Sequence, residues 1–181
     1  MRKVLYILSE FKDQDIDWIT GVGDKQTVRE GEFLVHAGEL IDTLYIVLNG
    51  RLEVSIGGAG AVVAHLGSGE IVGELSFLDS RPPNADVRAT EDSIVYAIPS
   101  RRLTSKFRTD EGFAARFYRA LGLLLSDRLR DTTSQLAYGS EKSLDSEEEE
   151  YSEISPDLLD KMGLAGQRFN DILSKLLSKS S

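Results

Sequence analysis

Between residues 27 and 98 the chain is a train of short runs rich in Val, Ile, Leu and Tyr, cut by turn residues at spacings of roughly 8 to 12. The runs are Phe33-Leu34-Val35-His36, Thr43-Leu44-Tyr45-Ile46-Val47-Leu48, Arg51-Leu52-Glu53-Val54-Ser55-Ile56, Ala61-Val62-Val63-Ala64-His65-Leu66, Asp86-Val87-Arg88-Ala89 and Ser93-Ile94-Val95-Tyr96-Ala97-Ile98. Gly31, Gly38, Asn49-Gly50, the cluster Gly57-Gly58-Ala59-Gly60 and Gly67-Ser68-Gly69 punctuate them. Segments this short and this β-branched cannot bury a helical face, and their rhythm predicts an all-β sandwich or barrel. Asn49-Gly50 predicts a tight hairpin, and the Gly57 to Gly60 cluster a second one.

On either side the period turns helical. Residues 4–22 are expected to form one or two N-terminal helices. Val4, Leu5, Ile7, Leu8 and Phe11 share one face, and Ile16, Trp18 and Ile19 follow a cap expected at Asp13-Gln14-Asp15. After Pro99 a short helix is predicted over Ser100 to Lys106, then a long one from Glu111 to about Ala137. The long one carries an apolar stripe of Phe113, Phe117, Leu121, Leu124, Leu125 and Leu129. At 1.5 Å per residue it would run roughly 40 Å, more than one small β domain requires. The expected organisation is one domain over 1–137, comprising N-terminal helices (4–22), β-roll (27–98) and C-terminal helices (100–137). An acidic Ser/Glu linker (138–155) and an amphipathic helix (156–178) opening at Pro156 would follow.

Two strings carry chemistry. The first is Gly31-Glu32-Phe33-Leu34, Gly38-Glu39, Asp42-Thr43-Leu44-Tyr45-Ile46-Val47, Gly50 and Glu53-Val54. The second runs from Leu66-Gly67-Ser68-Gly69-Glu70-Ile71-Val72-Gly73-Glu74-Leu75-Ser76-Phe77-Leu78 to Pro82-Pro83-Asn84-Ala85-Asp86-Val87-Arg88-Ala89. Together, in order, they closely resemble the cyclic-nucleotide-binding domain of catabolite activator protein, protein kinase A regulatory subunits and gated channels, from about residue 5 to residue 135. The resemblance implies a mainly β fold with helices: a double-stranded β-helix (jelly roll) of about eight strands, with N-terminal helices and a long C-terminal lid helix.

The same resemblance implies a ligand site at Val72, Gly73, Glu74, Leu75, Ser76, Arg81, Pro83, Asn84 and Ala85, with cyclic AMP or cyclic GMP as the possible ligand. A strand followed by Gly73-Glu74-Leu75-Ser76 opening a short helix would offer backbone N–H groups to a cyclic phosphate. Glu74 would accept the ribose 2′-hydroxyl; a glutamate there also suits the start of a helix on dipole grounds alone. The chain departs from the pattern at Pro83, where the family carries an arginine that pairs with the phosphate. Losing that charge-assisted pair weakens binding by about 1.5–3 kcal/mol. Arg81 is a candidate surrogate cation, and Asn84 a remaining hydrogen-bonding neighbour. Asp86 stands where the family often has Thr or Ser, and would oppose an anion if it faced the pocket. In the family the long helix covers the ligand and often pairs with its twofold mate, so Phe117, Leu121, Leu124 and Leu125 become lid and dimer candidates. No basic recognition helix follows, so DNA binding is not expected.

Composition narrows the remainder. Of the net charge of −9, residues 140 to 153 contribute −6, through seven acids against Lys142. Such a segment reads as a solvated linker and repels nucleic acid. Cysteine is absent, which removes disulfides and thiolate metal sites. The two histidines, His36 and His65, lie in separate runs without ligand spacing, against a cupin-type metal enzyme. Gly67-Ser68-Gly69-Glu70-Ile71-Val72-Gly73 has its third glycine one residue late for a dinucleotide fingerprint. The basic-then-apolar start ends after five apolar residues with no cleavage site, and no stretch spans a bilayer. The expectation is a cytoplasmic, non-enzymatic sensor or adaptor in signal transduction, homodimeric through the long helix and acting on an unknown protein partner. The alternative is a degenerate scaffold that binds no nucleotide and works by protein–protein contact. The terminal helix would dock on its own chain or on a partner's groove.

Overall fold

The computed structural model describes residues 8–57 and 60–138, with Gly166 and Ser174 as isolated helical positions. The linker and terminal helix expected at 138–155 and 156–178 lie outside the described residues but for Tyr138, Gly166 and Ser174.

Among the described residues, eight strands form two four-stranded antiparallel sheets. In chain order they are β1 (Asp24–Val28), β2 (Phe33–Val35), β3 (Thr43–Asn49), β4 (Leu52–Ile56), β5 (Ala61–Leu66), β6 (Ile71–Val72), β7 (Asp86–Ala89) and β8 (Ser93–Pro99). One sheet runs β1-β8-β3-β6, the other β2-β7-β4-β5. The helices are α1 (Asp13–Val22), α2 (Glu74–Asp79), α3 (Ser100–Thr109) and α4 (Glu111–Tyr138). Residues 8–10 add a helical turn.

The two cores follow from alternation along the strands. Val28, Val35, Val47, Leu52, Leu66, Val72, Val87, Ala89 and Val95 face inward between the sheets. The opposite face of the first sheet presents Leu44, Leu48, Ile71, Tyr96 and Ile98 to the helices. These pack against Phe11, Ile16, Ile19, Leu103, Phe113, Phe117, Ala120, Leu121 and Leu124. β8 is therefore apolar on both faces, which is why Ser93 to Ile98 reads as an unbroken run rather than an alternating one. The Tyr96 hydroxyl donates to the Ile19 carbonyl (2.9 Å) and accepts from the Gly23 N–H (2.8 Å), stapling β8 to the α1–β1 junction.

Two local expectations are corrected. Asn49-Gly50 is not a hairpin: β3 pairs with β8 and β6, whereas β4 pairs with β5 and β7, so the chain changes sheets there. Gly50 has φ +97°, and a Cβ on it would lie 2.2 Å from the Ser93 hydroxyl oxygen. Close packing against the β7–β8 turn explains this glycine as well as a hairpin would. The second hairpin forms as expected, with Ile56 opposite Ala61. At α1 the capping residue is Lys12, whose N–H donates to the Asp15 carboxylate at 2.8 Å. Asp15 thus acts from the third helical position rather than as the cap itself.

Candidate functional site

The segment from Ile71 to Ala89 forms the turn on which the reading depends. β6 ends at Val72, Gly73 takes φ +92° as the N-cap, and α2 begins at Glu74. A Cβ at Gly73 would stand 2.8 Å from the Thr43 carbonyl oxygen and 3.1 Å from Ile41 Cδ1, so glycine is required by conformation and by space. The first amides of such a helix have no partner within it.

The structure distributes the sequence-derived site residues unevenly. Val72, Glu74 and Ser76 are buried, Glu74 at 5 % exposure, whereas Leu75 is more than half exposed. Ala85 is half-buried and Asn84 exposed. The Pro83 carbonyl accepts from the Gly38 N–H at 2.7 Å, tying this loop to the β2–β3 connection. Asp86 serves the same connection: its carboxylate accepts from the Ala37 N–H at 2.8 Å and lies 3.9 Å from His36 Nδ1. Arg81 is 82 % exposed at its side chain and lies 3.9 Å from the Asp79 carboxylate, on its own turn.

The guanidinium that reaches the turn comes from α4. Arg128 donates to Glu74 Oε1, to the Ile71 carbonyl at 2.7 Å and to Glu70 Oε2 at 3.4 Å. Its side chain is 24 % exposed and those of Glu70 and Glu74 are 12 % and 7 % exposed, so the ion cluster is largely withdrawn from water. Two carboxylates share one cation. The sequence signal for Arg128 is its place four residues after Leu124 and seven after Leu121, on the face of α4 that otherwise buries apolar side chains. A cation on such a face needs a buried acceptor.

Phe77, on α2, is the second residue that pattern reading missed. Its ring lies 5.7 Å from Phe117 and 6.1 Å from Phe107, which joins α2 to α3 and α4 through edge-on aromatic contacts. Of the lid and dimer candidates, Phe117, Leu121 and Leu124 are 5 %, 2 % and 1 % exposed within this chain, and Leu125 is half-buried. Leu129, 67 % exposed, is off the buried stripe. The N-terminal half of α4 is bolted to α1 by the Arg116–Asp15 pair, bidentate at 2.7 and 2.8 Å. The Arg119–Glu10 pair adds a contact to the preceding turn.

Among the described residues, no group of His, Asp or Glu could hold a metal ion. No helix among them is long and apolar enough to cross a membrane. A hollow of about 440 Å³ is lined by Asp17, Trp18, Gly21, Val22 and Arg102, none of them on the Gly73 turn.

Residues 25–110 match the family model described as "Cyclic nucleotide-binding domain". An uncharacterized NTE family protein of Mycobacterium tuberculosis is 29% identical over 119 residues, 66% of this chain and 20% of that protein. The chain thus spans about a fifth of the length of that relative. Among solved structures, a cyclic nucleotide-binding domain from Methylobacillus flagellatus superposes with a TM-score of 0.68 at 19% identity, covering 75% of this chain and 82% of that one. The catabolite activator protein of Thermus thermophilus superposes with a TM-score of 0.60 at 19% identity, covering 96% and 87%. At those identities the likeness concerns the fold. Two antiparallel sheets, the glycine-opened α2 turn and the covering C-terminal helix agree with the family match, and residues 25–110 resemble a cyclic nucleotide-binding domain in sequence and in fold.

Proposed function

We propose that this chain is a non-enzymatic, cytoplasmic regulatory module that takes a cyclic nucleotide, cyclic AMP or cyclic GMP, between the Gly73 turn and α4. The observation that carries the reading is the buried Glu74 carboxylate, which opens α2 beside Gly73 and is reached from the lid helix by Arg128. One acid therefore belongs to both the ligand turn and the lid. The Phe77 contacts to Phe107 and Phe117 supply a second mechanical link. A ligand that draws on Glu74 biases how α4 sits, and the altered helix is what a partner protein reads.

Self-association belongs to the same proposal. Tyr118, Gly122, Leu125 and Leu129 recur at heptad spacing on α4, and Tyr118 and Leu129 are 47% and 67% exposed. Gly122 has open space where a Cβ would be, so no described residue gives a packing reason for a glycine there. A second copy laid along this seam accounts for both features.

The scaffold reading has a specific observation in its favour. Position 83 supplies no guanidinium, the Arg81 side chain lies exposed to solvent beside Asp79, and Arg128 is matched against two carboxylates. The turn therefore carries little spare positive charge for a phosphate. Calorimetric titration with cyclic AMP and cyclic GMP separates the two readings. A saturable signal in the micromolar-to-millimolar range is expected, and silence at millimolar concentration for both nucleotides leaves the scaffold.

A further inference from the structure

Past Leu124, no described residue of α4 is buried, so this stretch has few apolar contacts to hold it on the roll. It is tied there by Arg128, whose three acceptors all sit on the β6–α2 segment: Glu70, the Ile71 carbonyl and Glu74. The earlier part of α4 is fixed differently, by Phe113, Phe117, Ala120, Leu121 and Leu124 in the core and by Arg116 on Asp15. The helix therefore has a permanently seated first half and a second half held chiefly by polar contacts.

We infer that Arg128 is an internal occupant of a ligand-hydroxyl position: it holds Glu74 Oε1 when no ligand is present, and a ligand hydroxyl directed to that oxygen gains it by displacing the guanidinium. Arg128 is thus a latch on the distal half of α4 and a competitor that sets apparent ligand affinity. The competition rests on the nucleotide reading above; the latch does not. The chemistry is that of one buried carboxylate oxygen, Glu74 Oε1, contested by two donors, a guanidinium from the lid and a hydroxyl from the ligand. Neutralising Glu74 and removing Arg128 should loosen the same segment, because each breaks the same contact.

The test uses the full chain with Arg128→Gln, Glu74→Gln and the double variant. Without ligand, amide hydrogen exchange over residues 125–133 is expected to rise about tenfold in either single variant, against an unchanged reference over 113–121. The double variant should exchange no faster than the singles. Glu74→Gln guards against misreading a fold damaged by the unpaired carboxylate that Arg128→Gln leaves. Titration with cyclic AMP should then show Arg128→Gln binding about tenfold tighter than the natural chain, the gain expected when a latch closed about nine-tenths of the time is removed. Unchanged exchange over 125–133 overturns the latch, and unchanged or weaker cyclic AMP binding overturns the competition. If exchange rises but neither protein binds cyclic AMP or cyclic GMP at millimolar concentration, the latch is supported and the nucleotide reading falls.

Discussion

At Gly73 the backbone needs a positive φ and the space of a missing side chain at once, whereas Gly31, at φ +83°, has nothing within 4 Å of where a Cβ would sit. The pair separates the two demands experimentally. Gly31→Ala is expected to cost only the backbone penalty, about 1–2 kcal/mol. Gly73→Ala adds a collision with the Thr43 carbonyl, backbone that cannot swing aside, and is expected to lose distinctly more in denaturant unfolding. Equal losses would mean that the turn yields, and that its shape is not fixed by this residue. Both glycines are visible in the sequence, but only the surroundings that folding brings to Gly73 distinguish them.

Asp15 and Arg116 couple α1 to α4 across 101 residues of chain. Burial pushes the Asp15 carboxyl upward, yet hydrogen bonds from Arg116 and the Lys12 N–H, with the Arg116 charge, outweigh burial and hold it below its ordinary value. The same hydrogen bond raises Arg116. A carboxyl depressed in the folded state stabilises fully above its unfolded value of about 3.9, and the benefit is lost as pH falls through the lower folded value. Asp15→Asn is accordingly expected to be less stable than the natural chain by about 3 kcal/mol at pH 7, since Arg116 loses its buried partner. The gap should narrow below about pH 4. Urea midpoints measured across that range check it, and a constant gap contradicts the assignment. Periodicity placed α1 and α4 but gave no hint of this pair, because an ion pair between distant segments leaves no local pattern.

For the molecule as a whole, legibility followed burial. The long apolar runs that became β3, β5 and β8 were readable because at least one face is covered. β1, Asp24–Val28, was missed: only Val28 of its residues is buried, so its polar side chains carry no period. β6 has two residues, too few to alternate. The glycine-opened turn at Gly73 was readable as a motif, whereas Arg128 and Phe77 acquired meaning only when α4 and α2 met. Self-association is tested at this scale: Leu129→Glu is expected to abolish dimers in sedimentation velocity while leaving the thermal midpoint of the monomer within a few degrees, since the residue lies outside the chain's own core. A dimer that survives places the contact elsewhere.

The division of apolar residues into one set between the sheets and another beneath the helices gives the domain two separable layers of cohesion. The end of α4 beyond Leu124, outside both clusters, can shift while the sandwiched valines keep the strands in register. A domain built this way can change the outline of its helical layer without unfolding, because the strands are held by an interior of their own.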